Sequence, residues 1–309
     1  MKTKKIVTIA AIQTAVSEDK KINLKKTLEK VERAAKAGAK IICLQELYRT
    51  LYFPQRIAKD YDQYAEDIPG ESTKAFSQLA RKYGVVIIVP LFERAQDGRY
   101  YNSAVVVNEK GKLLEAYRKI HIPEDPGFYE KDYFEEGNTG YKVYKTKFAT
   151  FSVLICYDQW FPEAARAVRL LGAEIIFYPT ALGNIIGYKP EGDWHGAWET
   201  TMRSHGIDNS VYICAINRAG VEGRVEFFGQ SFISDPFGKV IKRAGAKKEQ
   251  ILIAEIDLER NKFFADGWGF LRNRRPDTYG ILTSEKLVKK SKKLAKVEHY
   301  EDEQRALEK

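Results

Sequence analysis

The chain has 309 residues, of which 44% are hydrophobic and 12% aromatic, and this composition excludes an intrinsically disordered protein. A compact chain of this length buries about 75% of the surface that its unfolded form exposes, so it needs neither disulfides nor a structural metal. The 51 Lys and Arg against 42 Asp and Glu give a formal net charge of +9, but the basic residues are not gathered with aromatic residues in a known nucleic-acid-binding module.

Neither a membrane span nor a disulfide framework is predicted. The apolar runs are far shorter than the ~20 residues of a transmembrane helix. The N-terminal lysines precede an apolar stretch that Thr8 and Gln13 interrupt, which predicts a first strand and not a signal peptide. Three cysteines, Cys43, Cys156 and Cys214, are too few and too scattered for disulfides or a zinc ribbon. We therefore expect a soluble, cytoplasmic protein without a nucleic-acid or membrane partner.

The predicted elements alternate between strand and helix, which is typical of an α/β fold. Strands are predicted at residues 5–15, 41–44, 85–89, 103–108, 113–117, 150–155, 175–178, 211–216, 229–234, 239–243 and 251–256. Helices are predicted at residues 22–37, 73–83, 162–171 and 193–208, with 103–108 and 113–117 forming a hairpin around Lys110-Gly111. We predict one α/β domain over residues 1–282, followed by a C-terminal extension over 283–309. The six lysines of residues 286–296 predict an exposed helix within that extension.

Three reactive side chains follow predicted buried strands. Glu46, Lys119 and Cys156 stand at the carboxyl ends of such strands, where ligands bind in open α/β sheets. A thiol, a carboxylate and an ammonium group are the parts of a nucleophilic acyl-transfer site: the thiol attacks, the carboxylate accepts the proton and the ammonium group supports the oxyanion. A lysine packed beside the sulfur would also lower the pKa of the Cys156 thiol and favour the thiolate.

Each of these residues has an ordinary structural alternative. Free cysteines are typically small buried hydrophobes, which is the reading for Cys43 and Cys214 inside apolar runs and, taken alone, the alternative for Cys156 as well. Glu46 could cap a helix or form an ion pair, and Lys119 could be a solvated residue at a sheet edge. The sequence separations are too long for a local motif, so spacing alone does not show that the three side chains meet.

The chain resembles the carbon–nitrogen hydrolase (nitrilase-like) family from Ile6 to about Gly280. The resemblance rests on Leu44-Gln45-Glu46-Leu47, Tyr117-Arg118-Lys119-Ile120-His121-Ile122-Pro123, Ile155-Cys156-Tyr157-Asp158-Gln159-Trp160-Phe161-Pro162-Glu163 and Arg274-Arg275-Pro276. It implies a four-layer α-β-β-α sandwich with a Glu–Lys–Cys triad, here Glu46 as general base and acid, Lys119 as oxyanion stabiliser and Cys156 as nucleophile. A second family glutamate matches Glu130 of Tyr129-Glu130-Lys131-Asp132-Tyr133-Phe134 and is expected to orient Lys119 and assist the base.

Within the family, the residues around 126–131, 158–166, 172–183 and 229–233 resemble enzymes that act on N-carbamoylputrescine. The resemblance implies hydrolysis of a carbamoyl or linear amide C–N bond with release of ammonia, here giving putrescine and CO2. The alternatives are an N-carbamoyl-β-alanine or N-carbamoyl-D-amino acid amidohydrolase, an ω-amidase and, more remotely, a non-catalytic binding or scaffold member. No cofactor or metal is expected, and the expected partners are a small-molecule substrate and further copies of the chain in a homodimer or larger homo-oligomer.

The substrate-binding residues depend on the charge of the distal group. A cationic tail needs carboxylates or aromatic rings, whereas an anionic one calls for an arginine such as Arg203 or Arg218. Candidates for substrate contact are Tyr52, Asp125, Tyr157, Trp160, Thr180 and Asp193, with Glu191 as a further carboxylate.

Overall fold

A computed structural model describes residues 4–56, 61–188 and 192–284. The chain divides into two compact units, Met1–Gly267 and Trp268–Lys309. Among its described residues, the second unit has a 3-10 helix at Pro276–Thr283. The predicted helix over 286–296 lies outside the described residues, and the predicted boundary after residue 282 stays a prediction.

The first unit contains most of the regular structure. Its strands are β1 Ile6–Gln13, β2 Ile41–Leu44, β3 Val86–Arg94, β4 Tyr100–Val107, β5 Tyr117–Arg118, β6 Glu124–Asp125, β7 Phe128–Tyr129, β8 Tyr144–Lys145, β9 Thr150–Val153, β10 Ile175–Pro179, β11 Gly183–Ile185, β12 Tyr212–Ile216, β13 Ala219–Glu222, β14 Val225–Phe228, β15 Phe232–Ser234, β16 Val240–Arg243 and β17 Gln250–Asp257. The helices are α1 Lys20–Lys36, α2 Glu71–Tyr83, α3 Pro162–Leu170, α4 Trp194–Asn209 and α5 Glu259–Trp268.

Two six-stranded mixed sheets form the centre of this unit. The first has the order β17-β1-β2-β3-β4-β5, and the second has the order β16-β15-β12-β10-β9-β8. In each sheet the middle strands, β1-β2-β3 and β9-β10-β12, are parallel, and antiparallel strands flank them. The carboxyl ends of the parallel strands therefore share one edge of each sheet.

The alternation of side chains along the strands builds the layers. In β2, Ile42 and Leu44 pack with α1 and α2, whereas Ile41 and Cys43 face the core shared with the second sheet. That shared core continues to α3 and α4 through residues such as Trp198. Both faces of each sheet are thus covered, which explains the near-continuous apolar runs. The predicted α-β-β-α sandwich is confirmed.

The ends of the helices follow local chemistry. The Asp19 side chain accepts hydrogen bonds from the backbone N–H groups of Lys21 and Ile22, so α1 begins two residues before the predicted start. Gly84 ends α2 with a φ of 61°, in the left-handed region that favours glycine. Among the described residues, every helix is too short or too polar to cross a lipid bilayer.

The predicted hairpin around Lys110-Gly111 is confirmed. Strand β4 pairs antiparallel with β5 at Ser103 and Ala104, and Val107 forms an antiparallel bridge with Leu113 on the far side of the turn. The first strand is longer than predicted, since β4 begins at residue 100 and also pairs antiparallel with β3 over its whole length. The second strand is shorter, because only Tyr117–Arg118 is regular strand.

Candidate active site

Three loops bring the predicted reactive side chains together. Glu46 follows β2, Lys119 follows β5, and Cys156 starts a 3-10 turn after β9. Lys119 Nζ lies 3.0 Å from Glu46 Oε1 and 2.6 Å from Glu130 Oε2, and all three side chains are fully buried. The charges of Glu46, Lys119 and Glu130 all act on the Cys156 thiol, so the four groups share one site.

Lys119 is held as a cation between two carboxylates. Burial alone would lower the pKa of this lysine, but the neighbouring Glu130 and Glu46 outweigh that effect and raise it. Burial also raises the pKa of Glu130 to about 7, although Lys119 opposes the shift. Glu130 is fixed from its other side, because the Tyr52 hydroxyl donates to its Oε1 at 2.7 Å. The ammonium group therefore has one fixed position.

The pKa of the Cys156 thiol is shifted in the direction opposite to the predicted one. Its backbone φ is +42°, a strained value for a residue other than glycine, and the side chain is almost fully buried. Burial, together with the negative charge of Glu46, raises the pKa of the thiol well above its ordinary value, and the opposing effect of Lys119 is smaller. The expected lowering of this pKa is therefore wrong, and the resting group is a neutral thiol.

The two oxygens of Glu46 have different environments. Oε1 accepts from Lys119 and, at 2.7 Å, from Nδ2 of Asn102 on β4. Oε2 is buried and has no hydrogen-bond partner. The sequence analysis missed Asn102, for which the only signal is a polar side chain at the start of an otherwise apolar strand. One oxygen of Glu46 is thus fully engaged while the other is unengaged.

A buried arginine holds the loop that carries Glu46. Leu47 has a φ of +46°, and Nη2 of Arg218 donates to the carbonyl oxygens of Glu46 and Leu47 at 2.9 and 2.8 Å. Nη1 of Arg218 contacts both carboxylate oxygens of Glu222 at 2.8 Å. Arg218 is therefore a support of the Glu46 loop and is not free for an anionic substrate.

Asp158 ties the cysteine turn to the lysine strand. Its Oδ2 accepts from the Tyr117 hydroxyl at 2.7 Å and from the Ile155 N–H at 2.9 Å. Its Oδ1 contacts the N–H and Nδ1 of His121 at 3.0 and 2.7 Å. Since Tyr117 and His121 flank Lys119, a single carboxylate sets the position of Cys156 relative to Lys119. Sequence analysis also missed this role.

The structure separates the predicted substrate-contact residues into three groups. Tyr52 and Thr180 are buried supports, since Tyr52 binds Glu130 and the Thr180 hydroxyl donates to Gln159 Oε1 at 3.1 Å. Tyr157 is half-buried, and the charges of Asp125, Lys119 and Cys156 act on it.

The remaining candidates point elsewhere. Trp160 packs against the core, and Asp193 caps α4 by accepting from the N–H of Gly196. The side chain of Arg203 binds the carbonyl oxygen of Gly238 at 2.6 Å, and Glu191 lies outside the described residues. The charges of Cys156 and Asp125 both act on Tyr157, so these two candidates lie near the nucleophile.

A metal centre is not formed by the described part of the chain, which holds no group of three His, Cys, Asp or Glu residues able to bind an ion. The chemistry that the site offers is that of a thiol beside a carboxylate and an ammonium group. Such a set transfers acyl groups through a covalent intermediate.

Comparison with known proteins gives the family. The carbon–nitrogen hydrolase family model matches residues 8–265. The chain is 43% identical to N-carbamoylputrescine amidase of Solanum lycopersicum, over 90% of this chain and 95% of that protein. It is 38% identical to citrullinase of Francisella tularensis, over 88% and 96% of the two chains. The crystal structure of a carbon–nitrogen hydrolase from Helicobacter pylori has a TM-score of 0.85 and 39% identity, covering 91% of this chain and 99% of the other. The chain therefore belongs to the carbon–nitrogen hydrolase family, whose members hydrolyse carbon–nitrogen bonds other than peptide bonds.

Proposed function

We propose that Glu46, Lys119 and Cys156 are the catalytic triad of an amidohydrolase that converts N-carbamoylputrescine to putrescine, CO2 and NH3. The observation that carries the proposal is the buried ammonium group of Lys119 between Glu46 and Glu130, beside the strained Cys156. Three ionisable groups are costly to bury together, and a role in catalysis explains why they are.

In the first half of the reaction, Cys156 Sγ attacks the carbamoyl carbon. The neutral thiol must lose its proton as the C–S bond forms, and Glu46 accepts that proton. Lys119 and the backbone N–H of Tyr157 stabilise the oxyanion; the loss of one such donor typically costs about 3–4 kcal/mol in the transition state. Glu46 then protonates the departing nitrogen, the C–N bond breaks, and ammonia leaves a carbamoyl thioester on Cys156.

In the second half, a water molecule hydrolyses the carbamoyl thioester after ammonia has left. Glu46 takes a proton from the water, whose oxygen attacks the thioester carbon, and the C–S bond breaks to return the Cys156 thiol. The released carbamate decomposes to the amine and CO2. Glu130 keeps the Lys119 ammonium group in place through both steps, because its Oε2 contacts Nζ at 2.6 Å.

The choice of a cationic substrate is supported by similarity and by charge. The relatives at 41–43% identity act on N-carbamoylputrescine by name. The carboxylate of Asp125 acts on Tyr157, next to the nucleophile. The two arginines considered for an anionic substrate, Arg203 and Arg218, are instead bound to carbonyl oxygens and carboxylates.

The test is ammonia release from a panel of substrates. We expect the highest kcat/KM for N-carbamoylputrescine, ahead of N-carbamoyl-β-alanine, an N-carbamoyl-D-amino acid, citrulline and glutaramate. Equal or higher kcat/KM for an anionic or zwitterionic compound would overturn the substrate, and no release from any of them would favour the non-catalytic alternative.

The nucleophile is tested with matched cysteine variants. Cys156→Ala should abolish ammonia release, whereas Cys214→Ala, which removes a buried sulfur from β12, should retain it. Mass spectrometry after acid quenching of the wild type should find the carbamoyl adduct on the Cys156 peptide. Full activity of Cys156→Ala would refute the triad. The homo-oligomer and the cytoplasmic location stay predictions, and size-exclusion chromatography with light scattering measures the first directly.

A further inference from the structure

Asn102 contacts both Glu46 and Lys119. It lies on β4 and is fully buried. Its side-chain Nδ2 donates to Glu46 Oε1 at 2.7 Å, and its backbone carbonyl oxygen accepts from the N–H of Lys119 at 2.8 Å. One residue of β4 therefore fixes the side chain of the carboxylate and the backbone of the lysine.

The hydrogen bonds to Glu46 are distributed unequally. Oε1 accepts hydrogen bonds from both Lys119 Nζ and Asn102 Nδ2, whereas Oε2 is buried without a hydrogen-bond partner. A buried carboxylate oxygen without a donor is costly, and such groups are rare in folded proteins. An unpartnered oxygen is, however, what a general base needs, because a lone pair must be available for the incoming proton.

The orientation of the Asn102 amide is set by the same contacts. Its Oδ1 is buried and has no partner, whereas Nδ2 is used on Glu46. A flipped amide would place Oδ1 against the carboxylate, and two acceptors would then face each other. The orientation with Nδ2 toward Glu46 is therefore the favourable one, although it leaves Oδ1 unsatisfied.

We propose that Asn102 is a positioning residue that holds Glu46 through Oε1 and so reserves Oε2 for proton exchange with Cys156. The inference rests on the proposed function, in which Glu46 is the base. Without the amide, only Lys119 Nζ restrains the carboxylate, and Lys119 can follow a rotation of Glu46 because its ammonium group has three equivalent donors. The carboxylate can then turn Oε2 toward Lys119 and away from the thiol.

A purely structural role for Asn102 makes different predictions. In that case its loss would lower stability and the amount of folded enzyme, but the folded fraction would keep its kcat and its pH dependence. The positioning role predicts a fall in kcat at nearly constant KM. It also predicts that the acid limb of kcat/KM moves to higher pH, because a carboxylate that loses a donor binds its proton more tightly.

The experiment compares Asn102→Leu and Asn102→Asp with a matched control. For Asn102→Leu we expect kcat to fall about 10- to 100-fold, the effect of removing a hydrogen bond to a charged group, with KM within about threefold. Asn102→Asp keeps the shape but puts a second carboxylate against Glu46, so its acid limb should move further to higher pH. The control is Asn261→Leu, because Asn261 is also buried, donates one hydrogen bond at 2.7 Å and has an unpartnered Oδ1, but lies on α5.

Each outcome decides the proposal. If both Asn102 variants keep wild-type kcat and the wild-type acid limb, the positioning role is wrong. It is equally wrong if they lose no more kcat than Asn261→Leu. If Asn102→Leu does not fold, the isosteric Asn102→Asp carries the test through its pH profile. Glu46→Gln, measured in parallel, separates the two claims: an active Glu46→Gln overturns the base assignment itself, whereas an inactive Glu46→Gln with fully active Asn102 variants overturns only the role of Asn102.

Discussion

Replacing Arg218 by methionine should both destabilise the protein and slow the reaction. The guanidinium group is fully buried between the carboxylate of Glu222 and the carbonyl oxygens of Glu46 and Leu47. Removing one partner of a buried ion pair typically costs about 3–5 kcal/mol, because the other charge is left uncompensated. At about 2–4 °C per kcal/mol for a domain of this size, the midpoint of thermal unfolding should fall by about 6–20 °C.

The double variant Arg218→Met, Glu222→Gln separates the two effects. Because it removes both charges, it should regain most of the lost stability, to within about 2 kcal/mol of the wild type. Its kcat should nevertheless stay at least about tenfold low, since the loop that carries Glu46 has still lost two hydrogen bonds from Arg218.

Urea denaturation followed by circular dichroism measures the stability of each variant, and ammonia release measures kcat. Lys262→Met is the control, because Lys262 forms an exposed pair with Asp266 and its loss should leave the urea midpoint close to that of the wild type. The reasoning is refuted if Arg218→Met unfolds like this control, or if the double variant is less stable than the single one.

Three further predictions concern protons and the cysteine turn. Burial raises the pKa of Glu130 from 4.5 to about 7, so between these pH values the folded state holds a proton that the unfolded state has lost. The free energy of unfolding should therefore fall as the pH rises from 4.5 to 7. In urea denaturation, the free energy of unfolding of Glu130→Gln should depend less on pH over that window. Because burial raises the pKa of Cys156, iodoacetamide should label it slowly at pH 7 and faster up to and beyond pH 9, and a rate independent of pH would contradict the neutral thiol. Asp158→Ala leaves the donors of Tyr117, Ile155 and His121 without their acceptor. Its free energy of unfolding in urea should be about 2–4 kcal/mol lower than that of the wild type, and its kcat should fall more than tenfold. A stable and active variant would show that the cysteine turn does not need this carboxylate.

Sequence analysis could predict the layers because they depend on local patterns. The strand Ile41–Leu44 has the predicted bounds, and the apolar run at 85–89 corresponds to β3. The hairpin around Lys110-Gly111 was also predictable, because a glycine between two apolar runs marks the turn that joins them.

The site was only partly predictable, for a physical reason. Strand ends and family resemblance point to Glu46, Lys119 and Cys156. The residues that support them, Asn102 and Arg218, are distant in sequence, and their contacts with Glu46 follow no local sequence pattern. The predicted direction of the pKa shift of Cys156 was also wrong. That prediction weighed the single charge of Lys119, whereas the balance depends on burial and on the carboxylates as well.

The neutral state of the Cys156 thiol has a consequence for chemical damage. Peroxide and other oxidants attack the thiolate form of cysteine, and exposed cysteines with a low pKa are the ones converted to sulfenic and higher acids. A sulfur that stays protonated and almost fully buried at rest offers little thiolate to such reagents. We therefore expect peroxide to oxidise Cys156 slowly in the resting protein.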